Sequence, residues 1–259
     1  MQIVNKLRKY SSIALTLLLF LLLWEGIIKL FHISDFLLPS PFKVFNTYIS
    51  MALKGKLFFH TWITTIEALT GFFIGAFIGI ALGYIISKSK ILDRILSPFI
   101  IAAQTTPKLA LAPLFLIWFG FGLLSKIFIT ALIVFFPIFV NTAVAIKSIN
   151  PNLRAVMKLA HANKWQVFKK LELPSSLPML FAGFKSGITL AIVGAVVGEF
   201  VGASAGLGYL IIFSTGHLDT TAVFAAIIQL VIVGIIFYEI IAIIGSRLTR
   251  WHQSEKDNL

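Results

Sequence analysis

Six long apolar runs constrain the fold of this chain more than any other feature of its sequence. They cover residues 12–31, 62–87, 97–119, 124–146, 177–201 and 221–246. A helix needs about 20 apolar residues to cross the hydrocarbon core of a bilayer. Each run is close to that length and nearly continuous, which disfavours amphipathic surface helices. The sequence therefore predicts an all-α integral membrane protein with six transmembrane helices.

The composition agrees with this class and excludes others. Hydrophobic residues make up 58% of the chain and charged residues only 12%, too few to cover a water-facing surface. Cysteine is absent, which excludes disulfides, thiolate metal sites and cysteine nucleophiles. We expect one transmembrane domain over residues 1–259. The first run follows a basic segment but lacks a small-x-small cleavage site, so we expect an uncleaved span.

The basic residues predict the orientation. The chain has 22 lysines and arginines and a net charge of +12. An inside N-terminus places fifteen of them in the cytoplasm and five outside, with Lys108 and Lys185 inside spans. Because they lie in short loops, these charges indicate topology and not a nucleic-acid surface. Both termini are expected to be cytoplasmic. The outer five are Lys29, Lys43, Lys54, Lys56 and Lys126; the inner fifteen are Lys6, Arg8, Lys9, Lys88, Lys90, Arg94, Lys147, Arg154, Lys158, Lys164, Lys169, Lys170, Arg247, Arg250 and Lys256.

Residues 147–176 form the one long polar segment between spans, and the predicted orientation places it in the cytoplasm. Its pattern predicts a short basic helix, a turn at about 161–164, a second short helix and a stop at Leu173-Pro174. Such a double helix offers a docking surface to a cytoplasmic partner.

Two loops fall on the outer face. In loop 32–61, two prolines in the sequence Leu38-Pro-Ser-Pro41 prevent regular helix, and 42–53 is predicted to form a short amphipathic helix at the interface. Loop 202–209 is rich in glycine and is predicted to form a turn or a re-entrant gate.

Two spans carry unusual small or helix-breaking residues. Span two has a glycine at every fourth position, which lets another helix approach closely and predicts helix packing. These residues are Gly71, Gly75, Gly79 and Gly83. Span three contains Pro98, Pro107 and Pro113, with the polar Gln104 near its middle. Such a broken span is tolerated where it is buried in protein or lines a water-filled cavity.

Three charged residues inside spans are candidates for the translocation path. Lys108 lies near the middle of span three, where a cation is functional by default. The alternative is two shorter helices, with Lys108 reaching toward water. Lys185 lies about two turns from the cytoplasmic end of span five and reaches the interface by the same route. Glu199 either lines an outer gate or ends its helix in headgroup water.

Motifs of self-contained catalysis are missing from the sequence. It has no phosphate-binding G-x-x-x-x-G-K-[S/T], no H-E-x-x-H and no G-x-S-x-G. Its five histidines show no metal-ligand spacing. We therefore expect no catalytic residue, metal or cofactor on this chain.

The polar segment resembles the coupling loop of bacterial ABC importer permeases. That pattern is E-A-A, three residues, G, nine residues and I-x-L-P. Here the corresponding positions are 155–157, His161 and 171–174, so the spacing matches throughout. Ala155 stands in place of the acid and His161 in place of the glycine.

Other motifs, in order along nearly the whole chain, resemble the permeases of nitrate, sulfonate and taurine importers. They are Trp24-Glu25, Leu38-Pro-Ser-Pro41, His60, Thr65, Gly71-Phe72, Pro107-Lys-Leu-Ala-Leu-Ala-Pro-Leu114, Trp118-Phe-Gly-Phe-Gly122, Ser125-Lys126, Phe136-Pro137, Asn141-Thr142, Trp165-Gln166, Glu199 and Gly206-Leu-Gly208.

This resemblance implies a type I ABC importer fold and an assembly in the bacterial plasma membrane. Two permeases, identical or paralogous, form the pore, and an extracytoplasmic binding protein delivers a small solute. A cytoplasmic ATPase dimer binds the coupling loops together with ATP and magnesium. Docking of the loop implies coupling roles for Ala155, His161, Asn163, Lys164, Trp165, Phe168, Leu173 and Pro174.

Within the loop, Trp165 and Phe168 are predicted to form an apolar knob rimmed by lysines. The alternative is an interfacial helix whose lysines face acidic lipid. The missing acid at Ala155 predicts loss of a polar contact to the ATPase or within the loop. Because histidine takes a positive φ less readily than glycine, the turn is predicted to shift to Asn163.

Other functional classes and the substrate are open at this stage. An ATP-independent carrier or channel, or a scaffold without a pore, would also contain apolar spans. For the substrate, Lys108 and Lys185 favour a small anion such as a sulfonate, taurine or nitrate. An uncharged heterocycle such as a vitamin precursor is the alternative.

Overall fold

The fold is a bundle of helices, with no strand among residues 2–250, the part of the chain that the computed structural model describes. Eleven α-helices follow one another in this part of the chain. They are α1 (Gln2–Leu30), α2 (Pro41–Leu53), α3 (Lys56–Lys88), α4 (Lys90–Thr105), α5 (Ala112–Phe119), α6 (Leu123–Lys147), α7 (Pro151–Leu159), α8 (Lys164–Val167), α9 (Leu173–Gly202), α10 (Leu207–Gly216) and α11 (Thr220–Leu248).

Four helices within residues 2–250 are long and apolar enough to cross a membrane: α3, α6, the continuous helix Lys164–Gly202 and α11. A fifth span results if α4 and the segment Lys108–Phe119 count as one, bent by 83° at the break between them. These five include predicted spans two to six. The first predicted span forms most of α1, and its crossing stays a prediction. The predicted cytoplasmic Lys256 lies outside the described residues.

Helix α6 packs against both α3 and α9, and the approach to α3 depends on the predicted glycine row. A Cβ atom added at Gly75 would lie 2.5 Å from the Ala131 carbonyl oxygen of α6. At Gly79 the added Cβ would lie 3.0 Å from the Phe135 carbonyl oxygen. The backbones of α3 and α6 are therefore as close as the absence of a side chain permits.

A second glycine row, on α9, was missed by the sequence analysis. A Cβ atom at Gly194 would lie 2.8 Å from the Thr130 Cα of α6, and one at Gly198 would lie 3.1 Å from the Lys126 Cα. The row has irregular spacing, since Gly183 and Gly187 are four positions apart but Gly194 follows Gly187 only after seven positions. The regular four-residue repeat of α3 is easier to recognise than this interrupted one.

The end of the fold predicted to face outside contains the predicted amphipathic helix, α2, and one helix that the sequence analysis missed, α10. Ser40 caps α2 by accepting a hydrogen bond from the Lys43 N–H at 3.3 Å. The Tyr48 hydroxyl of α2 donates to Gln229 Oε1 of α11 at 2.6 Å. Helix α10 begins in the glycine-rich loop and runs through residues to which the sequence analysis assigned no element. The connection between α9 and α11 therefore contains a helix of its own, and α2 packs against α11.

The predicted stop at Leu173-Pro174 is wrong, because the helix continues through it. A π-helical turn, Phe168–Glu172, joins α8 to α9, giving one continuous helix Lys164–Gly202. Proline lacks an N–H and clashes with the carbonyl four residues earlier, so it is tolerated at the first turn of a helix. The wider π-turn places Pro174 at the first turn of α9. The second half of the polar segment is thus rigidly continuous with a membrane helix.

The glycine packing gives a stability prediction for α3. Gly75→Ala should lower the melting temperature of the purified protein in detergent by several degrees, because the new methyl group overlaps the Ala131 carbonyl. Overpacking of this kind costs about 1–3 kcal/mol.

Gly234→Ala in α11 is the matched control, because its added Cβ would meet only the Ile192 Cδ1, at 3.5 Å. Both substitutions raise helix propensity equally, so only the packing differs. Equal melting temperatures for the two variants would contradict close packing of α3 on α6.

Candidate functional site

The polar segment folds as two helices joined by a tight turn. Asn150 caps α7 by accepting a hydrogen bond from the Asn152 N–H at 2.9 Å. Asn163 and Gln166 form a capping box at the start of α8, with both hydrogen bonds 2.9 Å long. These local contacts define each helix start without help from the rest of the fold.

The turn between α7 and α8 places the left-handed residue at His161 and not, as predicted, at Asn163. His161 has φ of 52°, whereas Asn163 has φ of −70° because it caps α8. The prediction weighed only conformational preference. The capping requirement of α8 commits Asn163 to an extended conformation, which leaves His161 to take the strained one. His161, at the position of the glycine in the family pattern, therefore has the positive φ that glycine adopts most readily.

Exposed apolar side chains lie on the side of this segment that faces away from the helix bundle. Trp165 is 67% exposed and stacks on Phe168 with ring centroids 5.6 Å apart. Phe168 is half-buried, because it also packs edge-on against Tyr84 of α3 at 5.6 Å. The sequence analysis missed Val156 and Leu159 of α7, exposed by 58% and 79%. Their three-residue spacing on a short helix was the available signal.

The other predicted coupling residues lie mostly on the surface. Ala155 is exposed, so the acid that the pattern has at this position would face outward and not into the loop. The exposed members of the set are Ala155, His161, Asn163, Lys164, Trp165 and Leu173, and the half-buried ones are Phe168 and Pro174.

The inward side of the segment packs on the ends of α3 and α6. Ile146, Ile149 and Leu171 form a buried apolar cluster, with Met157 and Val167 against it. Next to this cluster, Glu172 is buried and accepts a hydrogen bond from the Tyr84 hydroxyl at 2.9 Å. The segment is therefore attached to both α3 and α6.

A second polar cluster lies at the opposite end of α3 and α9. The first three N–H groups at the start of α10 donate, in chain order, to side chains of α3 and α9. The acceptors are His60 Nδ1 at 3.1 Å, Thr64 Oγ1 at 2.8 Å and the Glu199 carboxylate at 2.5 Å. The donating N–H groups belong to Gly206, Leu207 and Gly208. Because the first N–H groups of a helix have no partner within it, this arrangement caps α10.

Glu199 is thus enclosed by neighbouring helices and not in headgroup water, and its role in a gate stays a prediction. Its side chain is 2% exposed, and the Thr64 hydroxyl donates to its Oε1 at 2.6 Å. Gly206 has φ of 119°, and a Cβ there would overlap the Glu199 carboxylate. The glycine at this position is therefore required by both conformation and space.

Two charges in this cluster were missed or misplaced by the sequence analysis. Glu67 of α3 was overlooked, although it lies inside span two. Lys126 was expected on the outer surface, but it is 7% exposed and forms an ion pair with Glu67 at 2.5 Å. A charge of each sign, in predicted spans two and four, was the available signal, because buried charges are paired.

The predicted translocation residues do not form one group. Gln104 and Lys108 line a cavity of about 470 Å³ with apolar residues of α6 and α9. The Lys108 ammonium donates to the Gln104 carbonyl at 2.7 Å and lies 4.5 Å from the Phe136 ring centroid. Lys185 and Glu199 are not part of this cavity lining.

Comparison with known proteins identifies the family. Residues 71–250 match the family described as "Binding-protein-dependent transport system inner membrane component". The chain belongs to this family of ABC transporter permeases, which confirms the resemblance of the sequence motifs.

Relatives that are named for different substrates match this chain over most of their length. The riboflavin transport system permease protein RibX of Chloroflexus aurantiacus is 39% identical over 97% of this chain and 95% of its own. The formylaminopyrimidine transport permease protein ThiX of Halalkalibacterium halodurans is 34% identical over 96% and 99%. The putative aliphatic sulfonates transport permease protein SsuC of Bacillus subtilis is 34% identical over 90% and 84%.

A solved structure confirms the fold class. A chain of the MetNI methionine ABC transporter, in an inward-facing conformation, superposes with a TM-score of 0.62 and 21% identity. The match covers 74% of this chain and 93% of that one. The all-α fold is that of type I ABC importer permeases.

The second polar cluster predicts a stability effect of Thr64. Thr64→Val removes the hydroxyl that bonds both Glu199 and the Leu207 N–H while keeping the shape of the side chain. Leaving buried polar groups unpaired costs about 1–3 kcal/mol each. We expect a lower melting temperature and faster proteolysis of loop 202–206.

Thr142→Val is the control, because Thr142 is equally buried and its hydroxyl donates only to the Ile138 carbonyl of its own helix. If both variants melt and digest like the parent chain, the cap on α10 does not depend on Thr64.

Proposed function

We propose that this permease subunit of an ABC importer couples to a cytoplasmic ATPase through the turn between α7 and α8. ATP hydrolysis resides in separate subunits of such transporters, which bind ATP and magnesium. The observation that carries the proposal is the exposed apolar surface of the polar segment. Part of this surface, Trp165, lies on the helix Lys164–Gly202, which is long and apolar enough to continue through the membrane.

The surface is suited to a protein partner. Val156, Leu159 and Trp165 expose apolar side chains near the turn, and Lys158 and Lys164 are exposed beside them. An aromatic or aliphatic anchor with a polar rim is the usual anatomy of a protein interface. Lipid is the alternative occupant, since an interfacial helix has the same pattern.

The rest of the assembly follows from the family. We infer a second permease copy, identical or paralogous, and an extracytoplasmic binding protein as partners. The orientation of the basic residues supports cytoplasmic termini in a bacterial plasma membrane.

For the substrate, we infer a small anion such as an aliphatic sulfonate, taurine or nitrate. Lys108 faces the cavity beside Gln104, and none of the ion pairs within residues 2–250 includes it. An uncharged heterocycle is the second candidate. It is supported by the near full-length relatives that carry riboflavin and formylaminopyrimidine in their names, and by the Phe136 ring in the cavity lining.

The docking proposal predicts that Trp165→Glu and Leu159→Glu reduce co-purification of the ATPase subunits at least about tenfold. A buried charge at an interface anchor removes the main source of its binding energy. The measurement is the ratio of ATPase to permease after affinity purification in detergent.

Trp165→Phe and Trp62→Glu are the controls. The first keeps an aromatic ring at the turn, and the second places the same charge on an exposed tryptophan at the opposite end of the molecule. Undiminished ATPase recovery with both glutamate variants of the turn would make lipid the better occupant of this surface.

The substrate proposal predicts that Lys108→Gln lowers uptake of radiolabelled taurine about tenfold, the effect of losing roughly 1.4 kcal/mol of binding. Uptake is measured in cells that contain the complete importer. Lys90→Gln changes an exposed lysine outside the cavity and should leave uptake unaltered. The heterocycle would be favoured if the parent importer took up riboflavin or an aminopyrimidine but no taurine, and if Lys108→Gln left that uptake unchanged.

A further inference from the structure

Glu172 joins the polar segment to a helix that is distant in sequence. Its carboxylate is 1% exposed and bonds both the Tyr84 hydroxyl and the Lys88 ammonium of α3. A buried carboxylate without partners would be strongly destabilising, so these contacts hold the two elements together.

The same carboxylate brings in two more elements. The Arg154 guanidinium of α7 lies 4.0 Å from Glu172 Oε1 and donates to the Ile146 carbonyl of α6 at 2.7 Å. The side chain of Glu172 thus lies where α3, α6, α7 and the helix Lys164–Gly202 meet.

The π-turn explains how the carboxylate reaches this place. Glu172 is the last residue of the turn Phe168–Glu172, and Leu171 beside it is also buried. A π-turn rotates the following side chains relative to a regular helix, and such turns are frequent at functional sites. Phe168, at the start of the turn, packs against Tyr84, so both ends of the turn contact α3.

We propose that Glu172 is the positioning residue that makes α3 follow the motion of the polar segment when the ATPase subunits bind nucleotide. This inference rests on the proposed function, because the motion originates in the partner. The covalent chain connects the segment only to α6 and α9. Without Glu172, the contact to α3 would depend on apolar packing, which permits sliding and rotation.

The absence of cysteine allows a direct test by spin labelling. Labels are attached through Ile85→Cys on α3 and Asn152→Cys on α7, both exposed positions outside the proposed docking surface. An excess of unlabelled copies keeps the measured distance within one permease. Pulsed electron resonance then compares the nucleotide-free complex with the complex trapped by MgATP and vanadate.

With Glu172 present, we expect the label distance to change by less than about 2 Å between the two states, as for elements that move as one body. With Glu172→Gln, we expect the trapped state to differ by more than about 5 Å, one helical turn. A merely structural role would alter both states equally. Tyr84→Phe, which removes one bond and keeps the ring, is the second variant if Glu172→Gln fails to fold.

Asp93→Asn is the control, because it breaks the Lys147–Asp93 ion pair at the same end of the molecule without touching α7 or the π-turn. Distances that stay constant in Glu172→Gln and Tyr84→Phe, with the ATPase bound, would overturn this inference alone. If no ATPase binds the parent chain, the proposed function fails and the inference fails with it.

Discussion

The contact of α6 with the glycine rows of α3 and α9 is the interaction on which the rest of the structure depends. Inside a bilayer the hydrophobic effect does not drive helices together, since lipid tails are as apolar as leucine. Close backbone approach replaces it, and the positions of Gly75 and Gly194 against α6 provide that approach. The apolar core cluster, with Ala68, Val134 and Ala191 fully buried, lies where these helices meet.

Two polar clusters determine how α3 and the helix Lys164–Gly202 are aligned along their length. Each one joins α3 to the helix Lys164–Gly202, one at either end, through a buried glutamate. At the end next to α10 Glu199 bonds Thr64, and at the other end Glu172 bonds Tyr84. Because polar groups buried in a low dielectric must be paired, each cluster determines the register of the two helices. A slip of either helix would break both clusters at once, so α3 and this helix form a frame with α6 packed against it.

Much of this architecture was predictable, and the failures share a cause. The apolar runs predicted the helices, and the four-residue repeat predicted the glycine face of α3. The unpredicted features depend on partners distant in sequence. Pro174 reads as a stop until the π-turn is known, and Lys126 reads as a surface charge until Glu67 is placed beside it. Helix α10 was missed because its cap comes from His60, Thr64 and Glu199 and not from its own sequence.

The structure explains what the two departures of the polar segment from its family pattern change, at Ala155 and at His161. Ala155 is exposed, so the missing acid changes the surface of the segment and leaves its internal contacts intact. His161 takes a left-handed conformation at the glycine position of the pattern, at a cost of about 1–2 kcal/mol. Such strain persists only where surrounding contacts over-determine the backbone. The cap at Asn163 and the attachment of Glu172 provide those contacts on the C-terminal side of the turn. The geometry of the turn is thus maintained by its neighbours, while its surface chemistry is free to differ.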